Sequence, residues 1–281
     1  MSTYSTHIKA TDRLYDEALK KYISRDELHG IIKKIMDKYE QEWRSEENIF
    51  QVNINEIWKP RVLFAANERL LLAEIILPNH NSTFDQKYQI PPVSEYLSLT
   101  CFDLLGQKTS WLSFDQWLVS GKRKKERDAI ISVITETDYI KKTSLIYDGY
   151  QAIYGVKNSF FNFIENLLDK TRREALFSSV QIKIYDGYPN NLLSFTFGIE
   201  EDKKKYLYSI RNNFTHKAVH NTPNVYLWPN HYDTNGFWGR EKLYLKTKNW
   251  HYLVHRDYLT TLKEAVIHGI YVKMMDMYNC T

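Results

Sequence analysis

The sequence predicts a mainly all-α protein, an antiparallel multi-helix bundle with few or no strands, on three observations. Glycine and proline are scarce, ten and seven among 281 residues, and they are grouped, which leaves long unbroken segments. Inside those segments apolar residues return every three to four positions, the period of a helix face. Aromatic residues reach 15%, with 21 Tyr, a composition that suits aromatic-rich helix packing.

The elements follow in order. Residues 11–22 carry Leu14, Ala18, Leu19 and Tyr22, a short amphipathic helix. Residues 25–44 repeat the pattern with Leu28, Ile31, Ile32, Ile35, Met36, Tyr39 and Trp43, and Ser24 serves as the N-cap. A strongly apolar helix over 61–76 follows Pro60 and ends before Pro78, and the Asn/Ser/Thr-rich stretch 78–91 reads as a loop. Pro91 and Pro92 precede the helical run VSEYLSLTCFDLLGQ, with Gly106 behind it. Phe114–Val119 gives a short helix, and the basic Gly121–Lys125 opens a run near 126–139. The longest periodic stretch is 144–169, where Gly149 and Gly155 point to close helix approach. Residues 171–184 are open between helix and strand, because Val180–Ile184 alternates. The acidic trio Glu200, Glu201 and Asp202 suits a helix N-terminus and opens a helix that Pro223 stops. An aromatic loop over 221–240 and a last helix near 257–278 complete the chain.

Composition excludes several classes. Lys+Arg 38 against Asp+Glu 34 leaves a net charge of +4, too small to mark a nucleic-acid binder by itself. Cys101 and Cys280 alone exclude a disulfide scaffold or a Cys-rich zinc module. The N-terminal MSTYSTHIKATDRLYDE has no apolar signal core, and no uncharged apolar stretch of about 18 residues occurs, so the expectation is a cytoplasmic protein without a membrane span. No phosphate-cradling glycine loop and no GxSxG elbow appear, and no cofactor is expected.

The chemistry concentrates in Arg211-Asn212-Asn213-Phe214-Thr215-His216. An imidazole exchanges protons near neutral pH, and a guanidinium is always charged and fits phosphate oxygens with a planar fork. Together these are the needs of metal-free RNA cleavage, in which the ribose 2′-OH attacks its own phosphate. On a regular helix the two positions stand about 140° apart, so a long arginine side chain, helix-end distortion or a second copy must bring them to one phosphate. Asn212 and His216 are four apart and share a face, so Asn212 can orient the imidazole; Arg211 and Thr215 are paired in the same way.

This segment resembles the Arg-x4-6-His motif of the HEPN superfamily, in the variant with Asn directly after the Arg. SEYLSLTCFDLLGQ (94–107) and YGVKNSFFNF (154–163) also look like helices of that superfamily, which extends the resemblance over about 92–278. The resemblance implies a HEPN-like helical domain at 91–281; residues 1–90 lie outside it and are expected to form an N-terminal helical region of unknown role packed on that core. It also implies a homodimeric, metal-independent endoribonuclease with a toxin or phage-defence role and an antitoxin or regulatory partner. Arg211 and His216 would be catalytic, Asn212 and Thr215 supporting, and the products a 2′,3′-cyclic phosphate and a 5′-hydroxyl. Lys203, Lys204, Lys205 and Lys217 would bind RNA, with no metal and no cofactor. The alternative on the same fold is a module that binds RNA or a partner without cutting.

Two further constellations stay open. His216/His220 and His251/His255 are each four apart and hold the donors of a four-His metal site, although HKAVH and HYLVH lack the Glu of HExxH. The basic runs Lys122–Lys125 and Lys203–Lys205 read either as RNA-facing charge or as solvated faces.

Overall fold

The computed structural model describes residues 12–15, 19–45, 54–76, 92–186, 195–217, 236–244 and 248–279. Helix accounts for 75% of these residues, which makes the class mainly α. The helices are α1 (Arg25–Ser45), α2 (Ile54–Ile76), α3 (Pro92–Leu105), α4 (Phe114–Val119), α5 (Lys124–Ser132), α6 (Tyr139–Tyr154), α7 (Val156–Asn162), α8 (Lys170–Ser178), α9 (Glu200–Lys217) and α10 (Tyr258–Asn279). The strands are β1 (Val180–Asp186), β2 (Phe195–Phe197), β3 (Phe237–Tyr244) and β4 (Lys248–His255). No helix among the described residues is long and apolar enough to cross a membrane.

Two helices form the centre. α3 is buried almost all round, from Ser94 and Glu95 to Phe102, Asp103 and Leu105, so its several polar side chains need partners inside the fold. α10 buries Leu262, Ala265, Val266, Ile267, Gly269, Ile270 and Met274. Small residues let α2 lie close to α3. Ser94 Oγ donates to the Ala73 carbonyl at 2.9 Å, and the Cys101 thiol reaches the Ala66 carbonyl at 3.4 Å. Burial pushes that thiol up to about 12, so Cys101 is a packing residue rather than a nucleophile. Gly106 lets the end of α3 meet α7, since a Cβ there would stand 1.8 Å from the Ser159 carbonyl oxygen. Asn162 closes the junction by donating to the Gly106 carbonyl at 2.7 Å. Residues on both sides of position 90, such as Leu28, Leu63 and Leu70 with Phe102 and Val266, share this one core. A satellite core of Trp117, Tyr150 and Tyr154 sits under α4–α6, where Glu126 accepts from Trp117 at 2.7 Å and from Tyr154 at 2.9 Å.

The strands form one antiparallel sheet in the order β2-β1-β4-β3. Its inner face puts Val180, Ile182 and Val254 into the core. The open stretch 171–184 therefore divides: α8 ends at Ser178, and the alternation from Val180 is that of a strand.

Several boundaries differ from the sequence reading for local reasons. α1 starts where Ser24 accepts from the Glu27 N–H at 3.2 Å, as the capping pattern indicates. α2 begins at Ile54 and runs on through Pro60, its seventh residue, where the missing N–H removes one i→i−4 hydrogen bond. The run 126–139 stops at Ser132, and Asp138 caps the next helix by accepting from the Lys141 N–H at 2.9 Å. The stretch 144–169 is broken at Gly155 and again by a π turn over Phe163–Leu167. Gly149 does mark a close approach, with Ile130 of α5. Of the aromatic loop at 221–240, residues 237–240 belong to β3 and 221–235 lie outside the described residues.

Candidate active site on helix α9

α9 opens as its acidic trio requires: Asp202 accepts from the Ile199 N–H at 3.0 Å, and Glu200 and Glu201 complement the positive end of the helix. Tyr206, Leu207 and Ile210 form its buried stripe, with Tyr206 stacked on Tyr252 at 4.2 Å. A second stripe, Lys204, Tyr208, Arg211 and Thr215, follows the four-three-four spacing of one helix face towards α3 and α7.

Arg211 is anchored on that stripe. Its Nε donates to Asp103 Oδ2 at 2.5 Å, and Asp103 is 6% exposed. The outer guanidinium nitrogens meet no acceptor among the described residues, and neither does Asp103 Oδ1 meet a donor. Burial pushes the Asp103 carboxyl up to about 7, while the guanidinium groups of Arg211 and Arg69 pull it down. Arg69 is itself held by donating to the Thr100 carbonyl at 3.1 Å. Tyr208 lies edge-on to Phe160 and Phe161, and burial raises its hydroxyl above the usual tyrosine range.

Thr215 Oγ1 donates to the Arg211 carbonyl at 3.1 Å and lies 3.3 Å from the Tyr96 hydroxyl; Phe214 stacks on the Tyr96 ring at 4.4 Å. Asn212 is half-buried. The backbone of His216 and Lys217 continues α9, so position 216 stays about 140° round the helix from position 211. The side chains of His216 and Lys217, and the expected contact of Asn212 with the imidazole, lie outside the described residues.

The lysine run does not act as one patch. Lys203 donates to the Phe177 carbonyl at 2.6 Å, and burial holds its ammonium below the usual lysine range. Lys204 is buried; desolvation opposes its charge, but ion pairs with Glu165 and Glu201 outweigh it, and the ammonium sits 4.5 Å over the Phe161 ring. Lys205 is exposed, 3.5 Å from Glu201. Of the three, Lys205 is the one placed to meet a ligand.

The histidine pairs do not build a metal site on the described elements. His251 and His255 lie on β4, where four residues span about 13 Å rather than one helical turn. His251 packs against Tyr185 at 4.7 Å and His255 against Phe237 at 5.2 Å. His220 lies outside the described residues. Among those described, no three His, Cys, Asp or Glu side chains converge on one point.

Sequence reasoning missed Asp103, Tyr96 and Tyr208. Asp103 had a signal: it is the one acid in the otherwise apolar LTCFDLL, and a buried charge demands a partner. No protein-family model, no curated protein and no solved structure matches the chain.

Proposed function

We propose that the chain is a metal-independent endoribonuclease of the HEPN type that acts on RNA as a homodimer. One observation carries this reading: Arg211 is fixed through Nε to Asp103, which leaves its outer fork without an acceptor among the described residues, five positions before His216. A guanidinium held by one edge is pre-oriented for phosphate at the other.

In the proposed reaction His216 takes the proton of the ribose 2′-OH. The O2′–P bond forms, the P–O5′ bond breaks, and the departing 5′-oxygen receives a proton. Arg211 neutralises the charge that builds on the phosphorane oxygens, where stabilisation counts most. Because α9 is helical through Lys217, one copy leaves positions 211 and 216 on diverging faces. Two α9 helices facing across a two-fold axis would set each Arg211 near the other copy's imidazole and supply a second proton carrier. Asn212 and Thr215 support the two groups, and Lys205 and Lys217 add positive field. A toxin or defence role with an antitoxin, and a place in the cytoplasm, belong to the same proposal.

The binding-module reading is favoured by one observation: an arginine with a buried acid partner is also what a purely structural ion pair looks like. Cleavage separates the two. Purified protein is expected to cut unpaired RNA at an undiminished rate in excess chelator, because protons and a guanidinium do the work of a Lewis acid. Activity lost on chelation and restored by zinc or manganese contradicts the mechanism, and no cutting of any of several RNAs leaves the binding module.

A further inference from the structure

The stripe of α9 that carries Arg211 holds a second donor. Lys204 is engaged by Glu165 and Glu201, and Thr215 donates to the Arg211 carbonyl. Two groups of the stripe still have hydrogen bonds to offer. One is the pair of outer nitrogens of Arg211, and the other is the Tyr208 hydroxyl, which has no hydrogen-bond partner among the described residues. Tyr208 stands three positions before Arg211, so the two side chains leave one helix face with Cβ atoms about 5–6 Å apart. The charges that act on the hydroxyl are those of Arg211 and Asp103, which sets it beside that ion pair rather than beside the lysines.

The ring is clamped. Phe160 and Phe161 of α7 meet it edge-on at 5.5 Å and 5.9 Å, with interplanar angles of 68° and 76°. α7 is itself fixed to the end of α3 by the close approach of Gly106 to Ser159 and by the Asn162 bond to the Gly106 carbonyl. One junction therefore sets both the clamp of Tyr208 and, two positions before Leu105 on α3, the Asp103 anchor of Arg211. Half-buried, the hydroxyl is left for water or a ligand to satisfy. Burial holds the phenol above the usual tyrosine range, with Asp103 adding to the shift and Arg211 opposing it. It thus keeps its proton at neutral pH, as a donor must and a general base must not.

We propose that Tyr208 is a further catalytic residue, its hydroxyl donating a hydrogen bond to one non-bridging oxygen of the scissile phosphate while the outer nitrogens of Arg211 hold the other. The proposal rests on the ribonuclease reading and adds a neutral donor to it. As the 2′-oxygen attacks, charge grows on both non-bridging oxygens, and Arg211 supplies a single positive charge. A fixed dipole aimed at the growing charge strengthens more in the transition state than in the ground state. The hydroxyl keeps its proton throughout; the proton transfers to and from the 2′- and 5′-oxygens stay with the imidazoles.

Tyr208→Phe removes the hydroxyl and keeps the ring between Phe160 and Phe161. The test uses the full chain in excess chelator and an oligonucleotide with a single ribose among 2′-O-methyl sugars, so that one bond is cut. The variant is expected to lose roughly 10²-fold in kcat, with KM, circular dichroism and thermal midpoint unchanged. A second readout compares the two diastereomers of a phosphorothioate at the cleaved bond. Sulfur accepts hydrogen bonds poorly, so the diastereomer with sulfur towards Tyr208 carries a penalty in wild type that Tyr208→Phe no longer feels. The ratio of the two rates should therefore shift in the variant, whereas a mere loss of packing slows both alike. Cleavage by Tyr208→Phe at the wild-type kcat, or a loss that leaves this ratio unchanged, overturns the role of Tyr208 and leaves the ribonuclease reading standing. Wild-type protein that cuts no RNA removes that reading, and the role of Tyr208 with it.

Discussion

Replacing His216 with alanine is expected to lower RNA cleavage by about 10²-fold or more while circular dichroism stays unchanged. Arg211→Ala should lose a similar factor, and the double variant should be scarcely worse than either single one, because the two groups act on one transition state. Arg211→Lys should fail as well. An ammonium cannot hold Asp103 through one edge and offer a fork at the other, as the Nε anchor of Arg211 permits. Asn212→Ala should be milder, since it misorients the imidazole without deleting it. Among the lysines, Lys205→Ala is the informative change, expected to weaken RNA binding in a salt-dependent way. Lys204→Ala strips Glu165 of its ion pair, leaves Glu201 with Lys205 alone, and reports on folding instead. Equal cleavage by wild type and His216→Ala places the reaction elsewhere.

The second large effect is an asymmetry in stability across the Asp103–Arg211 pair. Asp103→Ala leaves a guanidinium that cannot shed its proton beside the core, and should cost about 3–5 kcal/mol in urea unfolding. Arg211→Ala should cost less, because the carboxyl left behind takes up a proton near neutral pH. The double variant should be more stable than Asp103→Ala alone. Asp103 has an ordinary value of 3.8 and titrates at about 7 in the folded chain. Between those values the folded chain holds a proton that the unfolded chain has released. The contribution is therefore fully present below the lower value and is lost as pH rises through the upper one. Asp103→Asn should remove that slope, and a slope that survives this change assigns the pH dependence to another group.

The helices were legible where one physical signal acted alone. Ser24 marks a helix start as an N-cap and the acidic trio at 200–202 marks one by its charge; Ser24 accepts from the Glu27 N–H, and Asp202 also accepts from the Ile199 N–H. Gly106 marks a helix end for a reason the sequence does not state, the contact with the Ser159 carbonyl. Reading failed where helices are broken without a strong punctuator, as at the π turn after Asn162, or where a strand is fixed by partners far along the chain. β1 has alternation of its own, but β3 and β4 owe their identity to pairing, with a bulge between Gly239 and Glu241 that scrambles the period. In the candidate site, spacing paired Arg211 with Thr215, whose hydroxyl bonds the Arg211 backbone carbonyl. It could not find Asp103, 108 residues earlier in the chain, because ion-pair partners across helices leave no local pattern. The lysine run misled for a related reason: adjacent charges on a helix point in different directions, and here two of the three turn inward.

The measurement that bears most directly on the central claim is the chemical identity of the ends left on a cut RNA. Wild-type protein in excess chelator, followed by mass spectrometry of the fragments, should give a 2′,3′-cyclic phosphate on one side and a 5′-hydroxyl on the other, with both signals lost in His216→Ala. Fragments with a 5′-phosphate and a free 3′-hydroxyl, or cyclic ends that persist in His216→Ala, would contradict attack by the 2′-OH at this site.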